Sequence, residues 1–203
     1  MVGKRKDTRK AEERDGFRFR GGHHALDLTA TLAARLKPTP IERLQQPSDL
    51  ARWLVAAGLV DSSPAVDATE LDQAHRLREA IYVLATAHLD GKDAPSSARE
   101  VVNDVAALPA AVPRLGASGS MQLVGSAAAL LSSVARSAIE LFGGDERLRV
   151  KQCASPTCTI LFVDRWQTGD RRWCSMAGCG NQAKVRAFRR RASATELDPT
   201  ASK

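Results

Sequence analysis

The sequence predicts an α+β protein in two parts: a mostly helical N-terminal domain with a small β-sheet, then a compact C-terminal module organised by cysteines. Three observations carry this. Apolar residues recur every three or four positions in several stretches between residues 23 and 142, the period of amphipathic helices. All four cysteines of the 203-residue chain fall between Cys153 and Cys179. Charge also changes sign along the chain: +4 over residues 1–20, −5 over 21–146 and +9 over 147–191, within a net +7. An acidic body joined to a basic cysteine module suggests a polyanionic partner for the second part.

In chain order, residues 1–15 read as a disordered basic arm, and "FRFR" (17–20) alternates like a short edge strand. "GHHALDLTATLAARLK" predicts a helix from about 23 to 37, stopped before Pro38. Ser48 is the expected N-cap of "DLARWLVAAG", with Gly58 as its stop. Leu71, Ala74, Leu77, Ile81, Leu84 and His88 mark one face of a long helix from Asp67 to about Leu89, ended by Gly91. A further helix fits 95–107. Two apolar runs, 112–115 and 121–124, flank a Gly/Ser turn and predict a hairpin. Leu130, Leu131, Val134, Ala135, Ala138, Leu141 and Phe142 mark the last helix of the body, which Gly143-Gly144 ends. The expected division is a helical sensory or dimerisation domain over 16–144, a finger over 147–192 and a disordered tail over 193–203.

The body offers no catalytic constellation. His23, His24, His75 and His88 fit neither a metal-ligand spacing nor a nucleophile–base arrangement, and Trp53 and Tyr82 read as packing residues. A non-enzymatic protein is the expectation. No apolar run approaches bilayer length, and the basic start, "MVGKRKDTRKAEERD", leads into no hydrophobic stretch. The expected location is the cytoplasm, without membrane association, where structural disulfides are uncommon.

That bears on the cysteines, whose spacing is C-x4-C-x15-C-x4-C. Two close pairs separated by a mid-length insert suit a structural zinc site, in which Cys153, Cys158, Cys174 and Cys179 would close a tetrahedral shell around one Zn²⁺. "ASPT" suits a knuckle between the first pair. "TILFV" and "RRWC" read as strands joined at "QTGD", and "NQAKVRAFRRRA" reads as a helix after the second pair. Knuckle, hairpin and helix in that order make a treble-clef-like layout. A redox dithiol normally uses C-x2-C in a thioredoxin-like unit, which is absent; a thiol-based redox sensor stays open, since zinc thiolates can be oxidised.

Over about 45 residues, "FVDRWQTGDRRWCSMAGCGNQAKVRAFRRR" resembles the CGNR zinc finger, with Cys179, Gly180 and Asn181 in place and Gln182 where that motif has arginine. More loosely, "ALDLTATL" and "LREAIYVLATA" resemble the domain that precedes this finger in bacterial stress-induced transcription regulators. There Ala30-Thr31 stands where an Asn-Thr pair is favoured. The resemblance implies a DNA-binding regulator whose body senses a small-molecule effector or forms a homodimer.

The last helix can also be read from its own residues. Asn181, Val185, Phe188 and Ala192 share a stripe expected to pack on the hairpin. Gln182, Arg186, Arg189 and Arg190 share an adjacent polar face, flanked by Lys184 and Arg191, while Arg171 and Arg172 precede Cys174. Arginine can bond phosphates or guanine and glutamine can read adenine, so these are the candidate DNA contacts. The alternative from another class is an RNA- or protein-binding adaptor in which the zinc module is only structural.

Overall fold

The computed structural model describes residues 12–115, 119 and 121–196, so most of the expected basic arm, and the tail from 197, lie outside the described residues. The body begins earlier than the sequence pattern indicates. β1 (Glu13–Arg14) and β2 (Phe17–Arg18) pair antiparallel, which takes residues 13–15 out of the arm. Burial of Phe17 and Phe19, the latter stacked on Trp53 with centroids 6.4 Å apart, fixes this hairpin to the core.

α1 (His24–Thr29) is far shorter than the 23–37 helix that periodicity predicts. The Thr29 and Thr31 hydroxyls donate to the Leu26 and Leu28 carbonyls, each at 2.7 Å. Beyond them the backbone leaves for β3 (Leu32–Ala33), which pairs antiparallel with β4 (Ile41–Glu42). Tertiary contacts decide this. Arg78, buried on the third helix, bonds Thr31 (3.2 Å), Glu42 (2.7 Å) and Glu79 (2.8 Å), and Arg35 reaches Glu79 at 2.6 Å across the Tyr82 ring. A continued helix would carry Thr31 and Arg35 away from those partners.

α2 (Pro47–Ala56) starts before Ser48. Pro47 suits the first helical position because it has no N–H to satisfy, and Asp49 accepts from the Gln45 and Gln46 N–H groups (3.0 and 3.1 Å). α3 (Ala68–Leu89) has the expected bounds; Asp67 and Glu70 cap it reciprocally, at 2.9 and 3.0 Å. α4 (Ser96–Ala107), the hairpin of β5 (Val112–Leu115) and β6 (Met121–Val124), and α5 (Ala127–Gly143) follow as predicted. α3, α4 and α5 lie side by side around Trp53, Leu54, Leu77, Ile81, Leu130 and Leu131.

The cysteine module does not stand apart from this body. β7 (Val150–Gln152) pairs antiparallel with β8 (Leu161–Val163), so the hairpin closes around the first cysteine pair, and the expected strand "RRWC" is irregular. Val150, Leu161 and Val163 are buried together with Leu26, Ala85 and Leu141 of the body. The Gly21 carbonyl accepts from Val163 N–H at 2.9 Å, and Arg165 bonds the Gly22 carbonyl (2.8 Å) and Glu146 (2.9 Å). A Cβ on Gly21 would lie 2.8 Å from Leu26 Cβ, so this junction requires glycine. α6 (Asn181–Glu196) extends past 192, the expected end of the finger. Among the described residues no helix is long and apolar enough to cross a membrane.

Candidate metal centre and basic face

The metal site is assembled from three local structures. Cys153 leaves the end of β7 and stays tied to the hairpin by its N–H to the Ile160 carbonyl (3.0 Å). Cys158 closes the knuckle, with its N–H on the Ser155 carbonyl at 2.9 Å. Cys174 lies on an irregular segment held by Arg171, whose guanidinium donates to the carbonyls of Cys174 (2.7 Å), Trp173 (3.1 Å) and Arg20 (3.2 Å) and lies 4.1 Å from the Phe162 ring centroid. Cys179 belongs to a single wide turn, Met176–Gly180, that opens directly into α6. A Cβ on Gly180 would lie 3.0 Å from Met176 Sδ and 3.3 Å from Trp173, which gives the glycine of the Cys-Gly-Asn motif a packing reason.

The four Sγ atoms lie within 4.8 Å of one another, and no disulfide joins them. Cys158 and Cys174 are 3.8 Å apart and Cys174 and Cys179 3.7 Å. A tetrahedron with Zn–S of ~2.3 Å has edges of ~3.8 Å, so the donor set fits one zinc ion. The chemistry agrees. Hydrogen bonds from the Cys158 and Cys174 thiols hold Cys153 well below the ordinary thiol range, and the same contacts to Cys153 push Cys158 and Cys174 up. Four sulfurs this close ionise together only around a cation. All four donors are cysteine, so such a shell is closed and structural rather than catalytic.

The candidate DNA contacts divide. Arg172, Arg186, Arg189 and Arg190 gather near the knuckle and Trp173; Arg186, Arg189 and Arg190 line a shallow depression with Ala154, Pro156 and Trp173, and Arg186 reaches Ser155 Oγ at 3.4 Å. Lys184 is exposed, and Gln182 opens on a different cleft, facing the body. Arg171 is half-buried and bonded to interior carbonyls, as described, so its side chain serves the fold. The Arg191 side chain lies outside the described residues.

The apolar stripe does not behave as expected: Val185 is 41% and Phe188 68% exposed, and Asn181 is exposed too. On α6 the half-buried positions are instead the small residues Ala183 and Ala187, while Ile160, Phe162 and Trp173 pack around the cysteines. Of the sequence's two finger carboxylates, Asp164 is buried and bonded to Lys151 (2.8 Å), Trp166 N–H and Arg171 N–H, which leaves Asp170 as the exposed acid among Arg147–Arg190. The histidines have ordinary partners where partners are seen: His75 Nε2 meets the Leu44 carbonyl (2.9 Å) and His88 Nε2 the Arg147 carbonyl (2.8 Å). Sequence reasoning missed Arg18, Lys37 and Arg43, which line the cleft beside Gln182. Nothing in the pattern could have flagged them, since they come from separate segments of the body, Arg18 on β2 and Lys37 and Arg43 on either side of β4.

A helical body welded to a closed four-cysteine site defines a zinc-finger protein. Comparison with known families agrees: a model for the CGNR zinc finger matches residues 149–192, and a model described as "Putative stress-induced transcription regulator" matches residues 22–145. The chain belongs to this second family, known as ABATE, and carries the CGNR finger behind it. No curated protein sequence matches it significantly.

Proposed function

We propose that the protein is a DNA-binding transcription regulator in which zinc fixes the finger and α6 presents arginines to the duplex. The observation that supports this most directly is the basic depression beside the knuckle. Arg186, Arg189 and Arg190 line it, Arg172 lies over the neighbouring Trp173 ring, and among the described residues no carboxylate lines the depression itself; Asp170 and Glu12 lie on the far side of Trp173, with Arg172. Such a face attracts a phosphate backbone by counterion release, with a log–log salt slope of about −0.9 per phosphate neutralised. The zinc supplies no reaction; it would hold the knuckle and the start of α6 in register. The body would dimerise or respond to an effector.

The test is the double variant Arg186→Glu/Arg190→Glu, which touches no cysteine and no interior apolar residue. It should retain zinc and helical content and lose duplex DNA binding at physiological salt. Unchanged DNA affinity would remove α6 as the reading element. A second reading, a protein-binding adaptor, has the exposed Val185 and Phe188 behind it. Competition between duplex DNA, structured RNA and protein extract, with Val185→Ser/Phe188→Ser beside the charge reversal, separates the two by which variant abolishes binding.

A further inference from the structure

Between the body and the finger lies a cleft of about 300 Å³ that shares no lining residue with the arginine depression, although Arg186 reaches its Ser155 at 3.4 Å. The body contributes Arg18, Lys37 and Arg43, and the finger contributes Ser155 and Thr157; Cys158 and Cys179 line it too. Among the described residues no carboxylate lines it.

The charges there are unusual for this molecule. Of the body's arginines between residues 12 and 145, five are buried or half-buried: Arg18, Arg20, Arg35, Arg43 and Arg78. Arg20, Arg35 and Arg78 each hold a carboxylate, at 3.5, 2.6 and 2.7 Å. Arg18 and Arg43 hold none among the described residues, and both open on this one cleft. Among the described residues the Nε atoms of both are buried without a hydrogen-bond partner, as are those of Arg20 and Arg35, and the Arg43 guanidinium meets the Gly16 carbonyl alone, at 3.1 Å from Nη1. Half-buried guanidinium groups that meet no carboxylate at a cleft, beyond what the zinc–thiolate shell at its edge offsets, leave charged donors that an entering anion can satisfy.

We propose that this cleft is an oxyanion site of the phosphate class, with Arg18, Lys37 and Arg43 as its cationic wall and the Ser155 and Thr157 hydroxyls as its neutral donors. Because the wall belongs to the body and the donors to the finger, occupancy couples the two. The phosphate group has two sources, a free phosphorylated metabolite or the backbone of a nucleic acid, and the site itself does not depend on α6 reading DNA.

The experiment uses the zinc-loaded full chain, titrated calorimetrically with pyrophosphate and separately with duplex DNA. Its variants are Arg18→Gln/Arg43→Gln and an exposed control, Arg114→Gln, with zinc content measured throughout. If the source is a free anion, pyrophosphate binds saturably and raises the melting temperature. The double variant then binds it at least roughly tenfold more weakly with its zinc intact, the loss expected for one or more charge-assisted hydrogen bonds. If the source is a backbone, pyrophosphate binds weakly but the double variant lowers the DNA salt slope by about 0.9 for each phosphate it no longer neutralises. Failure of Arg186→Glu/Arg190→Glu to alter DNA binding would leave either result standing. The proposal is overturned if the double variant matches the control with both ligands. It is equally overturned if its only effect is loss of zinc, which would mean that the arginines merely offset the charge of the thiolate shell.

Discussion

The body and the finger are held together by different means. The body buries Trp53, Leu50, Leu54, Leu77, Ile81, Leu130 and Leu131 completely, around helices whose apolar faces meet. Around the cysteines the buried cluster is Cys153, Ile160, Phe162 and Cys174, of which two are metal ligands. So few apolar side chains cannot offset the conformational entropy of ordering the knuckle and the turn before α6, and metal binding has to supply the difference. The boundary between the two regimes runs inside the finger. Its β7–β8 hairpin belongs to the body's apolar packing, while the knuckle, the Met176–Gly180 turn and α6 depend on zinc.

The largest effect should come from removing the metal. Structural zinc contributes on the order of 10 kcal/mol or more in isolated fingers. Strong chelation, or Cys174→Ser, should therefore melt the knuckle and α6 while leaving β8 and the body helices protected from hydrogen exchange. If the β8 amides exchange as fast as those of α6, the internal boundary is misplaced.

A finger residue in the body's packing should behave like a body residue. Leu161 is fully buried against it, and Leu161→Ala should cost about 2–5 kcal/mol. The loss should appear in the main unfolding transition, with zinc stoichiometry unchanged. A variant that sheds zinc before the body unfolds would count against the comparison.

The junction also has its own pH dependence. Asp27 is buried, and burial pushes its carboxyl up to about 7 against the opposing Gly21 N–H bond (2.7 Å) and the positive charge of Arg14. A carboxyl raised in the folded state favours folding fully below its unfolded value, ~4, and that contribution disappears as pH rises to about 7. Asp27→Asn, which retains an acceptor for Gly21, should flatten this slope and gain on the order of 1–3 kcal/mol at pH 8. The body's ion-pair network runs the other way. Burial would raise Glu42 and Glu79, but hydrogen bonds from Arg78 and Arg35 outweigh it and hold both below the usual carboxylate range. Their contribution is present above an unfolded value of ~4.3 and is lost as pH falls through their lower folded values. Melting curves from pH 3 to 8 should thus show a maximum that moves upward in Asp27→Asn; an unmoved maximum would exclude Asp27 as the cause.

The smallest effect should be Gly180→Ala. Its Cβ meets a flexible methionine end at 3.0 Å, so displacement of Met176 should limit the cost to about 1 kcal/mol. Zinc affinity by chelator competition should fall only a few-fold; a hundred-fold loss would mean that the turn cannot yield.

What the sequence determined by itself was local or stoichiometric. The period from Leu71 to Leu84 placed α3, because helix faces are set by neighbours three or four residues away. Cysteine spacing identified the four thiols that meet, since a tetrahedral shell admits few arrangements of paired ligands. The basic character of the finger was legible from charge alone. Tertiary structure decided which face of α6 is half-buried: Ala183 and Ala187 lie there, and Val185 and Phe188 stay exposed. It ended α1 at Thr29, where bonds to residues on α3 and β4 replaced further helical turns. It drew Arg171 inside and left Arg18 and Arg43, among the described residues, without carboxylates at one cleft. Each of these outcomes depends on groups far apart in the chain, whose meeting is set by competition for space and for hydrogen-bond partners, and no local pattern encodes that competition.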